Sequence, residues 1–137
     1  MTEENHKEIE DFLRSMRQAY NTQDMKAFRS HFWTNSQFVH LDASGRIDEG
    51  WGSFEEVLDQ EFRYLDSVQL TMRNANVRSF DDRFALATTE WKLSQVDPGG
   101  RAQDLGGRAS FSLVRFGKDW KIVAAHYTAL ETIPEEA

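Results

Sequence analysis

The sequence predicts an α+β fold in which three N-terminal helices pack on a strongly curved, mainly antiparallel sheet. Two observations carry this. Apolar residues recur at helical spacing up to about Asp66, and beyond it the hydrophobic period shortens to two. The strands that follow are long and joined by tight turns such as "GKD", the mark of a meander. A layer of that size must bury its apolar face, so the sheet is expected to curl around the helices.

The elements follow in order. Ile9, Phe12, Leu13, Met16 and Tyr20 form one stripe in "HKEIEDFLRSMRQAYN", with Asn21 as a stop signal. A shorter helix follows in "DMKAFRSHFW", capped by Asp24, with Met25, Phe28 and either Phe32 or Trp33 facing inward. "SQFVHLD" reads as a short strand bounded by the turn "ASGR". A third helix covers "SFEEVLDQEFRYLD", with Ser53 as N-cap, Glu56 completing a capping box, and Phe54, Val57, Leu58, Phe62 and Leu65 buried. "VQLTMRNANVRSF" and "RFALATTEWKLSQV" are strands around "DD", and "DPGGRAQDLGG" is a glycine-rich connection. "RASFSLVRF" and "WKIVAAHYTAL" finish the sheet. The chain reads as one domain, 1–137, regular from about residue 8 to 130, with "ETIPEEA" as a loose tail.

Alternation sorts the strand residues onto two faces. Ala85, Ala87, Thr89, Trp91, Leu93, Ala109, Phe111, Leu113, Val123, Ala125 and Tyr127 make the more apolar set, assigned to the helix-covered side. Val114, Trp120, Ile122 and His126 fall with Ser110, Ser112 and Glu90 on the outer side, a mixture suited to a subunit interface.

Composition excludes several classes. Hydrophobic residues make up 39% and aromatics 12% of 137 residues, enough to fill a core without staples. There is no cysteine, hence no disulfide, no thiolate nucleophile and no cysteine-bound zinc. The net charge of −7 opposes a nucleic-acid or anionic-membrane partner. No apolar run reaches the ~20 residues that span a bilayer, and the polar start reads as no signal peptide, so a cytoplasmic protein is expected. "DPGG" and "DLGG" lack phosphate-loop spacing, no serine sits in G-x-S-x-G, and the four histidines are too scattered for a metal site. No cofactor is expected.

Two N-terminal helices, then "FVHLDASGRIDEGWGSFEEV" as strand, turn and helix, then "GGRASFSLVRFGKDWKIVAAHYT", resemble the nuclear-transport-factor-2-like superfamily. The nearer branch resembles SnoaL-like and ketosteroid-isomerase-like proteins, and the association domain of calmodulin-dependent kinase II is similar. The resemblance implies a cone-shaped fold with a cavity between sheet and helices, commonly a homodimer through the outer face of the sheet. It also spans isomerases, cyclases, hydrolases, dehydratases and non-catalytic assembly domains, so chemistry must be read from residues. Ketosteroid isomerases use a first-strand aspartate as base and a tyrosine with a protonated aspartic acid as donors. Here the first strand carries His40 and Asp42, and the first helix carries Tyr20. The inner face of the third sheet strand offers Thr89 and Trp91 but no second buried acid, a departure from that pattern.

His40, Asp42 and Tyr20 are therefore the candidate catalytic residues. Imidazole both takes and returns a proton near neutral pH, and a tyrosine hydroxyl donates to a developing oxyanion. Trp51, Phe54, Phe62, Trp91, Phe111 and Tyr127 are the candidate ligand-binding residues, a set suited to an apolar or aromatic small molecule. Trp120, Ile122 and His126 are assigned to the interface or scaffold. Two functions stay open: a proton-transfer isomerase, cyclase or dehydratase, and a non-catalytic ligand-binding or oligomerisation domain.

Overall fold

A computed structural model describes residues 2–130, with side chains from residue 4; the expected tail at 131–137 lies outside the described residues. Helix α1 (Thr2–Asn21) buries Ile9, Leu13, Met16 and Ala19, with Phe12 and Tyr20 half-buried on the same stripe. Helix α2 (Met25–Arg29) starts at Asp24, whose carboxylate accepts the Ala27 N–H at 3.0 Å. The chain continues through β1 (Val39–Leu41), β2 (Ile47–Glu49), α3 (Trp51–Tyr64), β3 (Ser67–Ser79), β4 (Phe84–Val96), β5 (Ala102–Phe116) and β6 (Asp119–Ala129). These strands form one sheet in the order β2-β1-β6-β5-β4-β3, antiparallel except where β1 runs parallel to β6.

This corrects the expectation of three N-terminal helices on a strongly curved, cone-shaped sheet. Only α1 and α2 precede the strands; α3 follows the β1–β2 hairpin. The sheet is an open layer with edges at β2 and β3, neither closed nor strongly curled. The Asp42 N–H bonds to the Arg46 carbonyl at 2.8 Å, so "ASGR" returns the chain as β2, which adds an edge strand beyond β1 and places α3 after a hairpin.

Three smaller corrections bear on the site. α3 begins at Trp51, two residues before the expected Ser53 cap, and Gly50 takes the N-cap place at φ 88°. No side chain caps it, because the loop ahead supplies acceptors: the Gly50 N–H bonds to the Phe38 carbonyl and the Trp51 N–H to that of Asn35. The "DPGGRAQDLGG" connection is shorter than expected. Its turn ends at Arg101, and Gly106 and Gly107 lie buried inside β5. Gly107 faces Trp91 on β4 and Ala129 on β6, and a Cβ there would collide with the Thr128 carbonyl.

The third correction moves Trp120 and Ile122 from the outer face to the core, where they are 5% and 0% exposed. The β5–β6 register shifts between Ser112, which pairs with Ala124, and Leu113, which pairs with Ile122. Val123 is the extra residue, and such a bulge moves every side chain on one side of it to the other face. Val123 thereby leaves the inner set to which strict alternation assigned it. Ala85, Ala87, Thr89, Trp91, Ala109, Phe111, Leu113 and Ala125 are buried on the helix-covered face as alternation required. His126 is exposed on the opposite face, beside Thr88, Glu90, Arg108 and Ser110. Among the described residues, no helix is long and apolar enough to cross a membrane.

Helix α1 is tied to the edge strand by one side chain. Asn21 Nδ2 donates to the Leu70 carbonyl at 3.0 Å, and the Leu70 N–H donates to Asn21 Oδ1 at 2.6 Å. Asn21→Ala leaves both backbone groups of Leu70 without these partners and is expected to cost about 1–3 kcal/mol in denaturant unfolding. Gly107→Ala forces β5 away from β6 and is expected to lower stability by about 1–3 kcal/mol in the same assay.

Candidate functional site

The β1–β2 hairpin sets the site. His40 and Asp48 are directly opposite each other across it, and both are buried, at 5% and 4% exposure. His40 Nδ1 donates to Asp48 Oδ2 at 2.9 Å. A carboxylate accepts only, so this bond places the imidazole proton on Nδ1 and leaves the lone pair on Nε2. Arg46 grips the same carboxylate with two bonds, Nε to Oδ1 at 2.9 Å and Nη2 to Oδ2 at 3.1 Å. The His40 ring stacks on Phe54 of α3, with centroids 4.1 Å apart.

Charge follows from this packing. Burial lowers the His40 pKa below the usual 6.5, outweighing the upward pull of Asp48 and Asp42, so the ring is neutral at neutral pH. Burial works to raise the Asp48 pKa, but the bonds from Arg46 and His40 prevail and hold it below 3.8. Asp48 is a carboxylate through the neutral range.

His40 lines a cavity of about 340 Å³ between α1, α3, the hairpin and the inner face of β4–β6. Tyr20, Glu61, Trp91 and Tyr127 line it too, with Met16, Leu58, Leu70, Leu93 and Leu105 making the rest largely apolar. At one end Asp42, Arg46 and the cross-strand pair Gln95 and Gln103 add polar groups. Burial raises the pKa of both tyrosines, so each hydroxyl keeps its proton and acts as a donor. For Tyr20 the Glu61 charge adds to the rise and a hydrogen bond with Gln95 opposes it. Burial and the neighbouring Asp42 raise the Glu61 carboxyl above the usual 4.5.

The structure gathers His40, Asp42, Tyr20, Phe54, Trp91 and Tyr127 around one cavity. Asp42 does not orient His40. Its Oδ2 accepts the Ser44 N–H at 3.0 Å and the Ser44 hydroxyl at 2.5 Å, which closes the hairpin turn. Trp51, Phe62 and Phe111 stand outside the lining. Trp51 packs on Phe32 and donates to Glu55 at 2.7 Å, Phe62 packs edge-on against Tyr20, and Phe111 lies behind Tyr127. Arg46, Asp48 and Glu61 were missed. The hairpin register carried the signal for Asp48, since residues 40 and 48 are equidistant from the turn. For Glu61 the signal was its place seven residues after Phe54, on the same helical face. Among the described residues, no group of three or more His, Asp or Glu side chains is placed to hold a metal ion.

Many solved structures share this fold. A nuclear-transport-factor-2-like superfamily protein from Salmonella enterica superposes with a TM-score of 0.86 at 18% identity, covering 100% of this chain and 99% of that one. A candidate dehydratase of the NTF2-like family from Streptomyces avermitilis gives 0.85 at 13% identity, covering 95% and 99%. A candidate calcium/calmodulin-dependent protein kinase II association domain from Xanthomonas campestris gives 0.78 at 16% identity, covering 92% and 88%. At these identities the likeness is one of fold. No curated protein matches the chain. The SnoaL-like domain profile matches residues 9–130, nearly the whole of the described fold. The chain belongs to the SnoaL-like domain family.

Proposed function

We propose that this protein is a proton-transfer enzyme acting on a small, largely apolar or aromatic carbonyl compound, with His40 as its base. The observation that carries the reading is the buried Asp48–His40 bond at the wall of an apolar cavity that two protonated tyrosines share. Asp48 holds the Nδ1 proton, so Nε2 takes a proton from the carbon next to the carbonyl. The C–H electron pair moves into an enolate, and Asp48 stabilises the imidazolium that forms. Tyr20 and Tyr127 donate to the enolate oxygen as its charge develops. Phe54 and Trp91 seat the apolar part of the substrate. Returning the proton to another carbon gives isomerisation; attack by the enolate on a second carbonyl gives cyclisation.

The second reading is a non-catalytic ligand-binding or assembly domain. It draws on the likeness to the Xanthomonas campestris association domain and predicts binding without proton exchange.

The two separate on 4-phenylbutan-2-one in deuterated buffer, followed by NMR. Exchange of its α-protons faster than in buffer is expected; exchange at the buffer rate defeats the enzyme reading. His40→Asn is expected to slow it by about 10²–10⁴-fold. A base works unprotonated, so the rate holds through neutral pH and falls as pH drops through the His40 pKa, below 6.5. Asp48 pulls that pKa upward, so Asp48→Asn is expected to move the His40 titration lower still, read from imidazole ¹⁵N shifts.

A further inference from the structure

Among the described residues, Glu61 is the one carboxyl lining the cavity that neither the proposed base chemistry nor the hairpin turn uses. It projects from α3 into the lining, half-buried, and among the described residues no hydrogen bond or ion pair reaches it. The charges around it are Asp42 and Arg46 in the hairpin turn, Asp48 on β2, and, across a neighbouring groove, Asp97 with its ion-pair partner Arg101; Tyr20 on α1 and Tyr127 on β6 are neutral. Arg46, the cation in reach, is committed to Asp48 and lies 3.6 Å from Asp42. An unpaired carboxyl facing two carboxylates in an apolar wall holds its proton more firmly than a solvated one.

Its position relative to the base is set by the helix. Phe54, Leu58 and Glu61 follow one another at positions i, i+4 and i+7 on one face, and His40 stacks on Phe54. Seven residues amount to about 10 Å of helix rise, and helical side chains lean towards the N-terminus, which carries the carboxyl back towards His40. A base and a carboxyl whose pKa is raised therefore face one apolar cavity from separated points, with Leu58 between them. Isomerisation needs one group that takes a proton and returns it. A second, protonated group is needed where a poor leaving group must depart.

We propose that Glu61 is the general acid of the cavity and that the reaction it serves is loss of water from a β-hydroxy carbonyl compound. The proposal rests on His40 being the base. Nε2 of His40 takes the α-proton, the C–H pair becomes the new C=C bond, and the β-C–O bond breaks with its pair going to oxygen. That oxygen takes the Glu61 proton and leaves as water. His40 then gives its proton to solvent and Glu61 regains one, so no oxidant or reductant is involved.

The test uses 4-hydroxy-4-phenylbutan-2-one, whose elimination forms a conjugated ketone read by ultraviolet absorbance, alongside α-proton exchange on 4-phenylbutan-2-one. Glu61→Gln is expected to lower the ratio of elimination to exchange by about 100-fold or more, whereas His40→Asn lowers both rates. Replacing the hydroxyl by acetate, which leaves without a proton, is expected to restore most of the elimination lost in Glu61→Gln. An unchanged ratio, or an equal loss on alcohol and acetate, overturns the role of Glu61. Wild-type exchange without elimination of the alcohol overturns this inference alone; absence of both overturns the enzyme reading and this inference with it.

Discussion

One extra residue in β6 organises the whole inner face. Before Val123, next to the turn, Trp120 and Ile122 point into the core and close it against α1 and α2. Beyond the bulge, Ala125 and Tyr127 point the same way. A strand of unbroken alternation would commit one of these halves to solvent. The bulge lets the turn end serve as a packed floor, where the Phe32 segment joins Ile122 through backbone bonds, while the far end serves as a cavity wall. The small side chain of Ala125 then leaves room for His40 to lie opposite it on β1.

What the sequence made legible divides along the range of the forces involved. The stripes of α1 and α3 and the alternation of β4 are set by local period, and the burial of Leu13, Leu58, Ala87 and Trp91 follows it. The bulge at Val123 leaves no trace in composition, so Trp120 and Ile122 sorted to the wrong face. Gly50 as N-cap was hidden because its partners are carbonyls of a preceding loop. In the site, His40, Tyr20 and Tyr127 stood out as residue types. Asp48 gained meaning only from pairing across a hairpin whose second strand is three residues long. Glu61 carried no signal as one acid of an acidic helix, because its surroundings come from the β1–β2 hairpin, α1 and the ends of β4 and β5.

The Arg46–Asp48–His40 chain is better understood as a device for orientation than as a source of stability. Removing a carboxylate from water is costly, and an ion pair inside a protein offsets that cost only with good geometry. Asp48 meets the condition with three bonds, two from a guanidinium whose side chain stays 40% exposed and so keeps much of its hydration. What the arrangement secures is a single tautomer and a single ring plane for His40, reinforced from the other side by Phe54.

The Asn21 clamp has a consequence outside the chain. β3 is a 13-residue edge strand, and a long edge presents unpaired backbone groups that invite another molecule to add a strand. The amide of Asn21 offers both a donor and an acceptor, so it imitates a neighbouring strand at Leu70 and occupies the two backbone groups that an incoming strand would need there. An asparagine that ends a helix thus also blocks strand addition at Leu70.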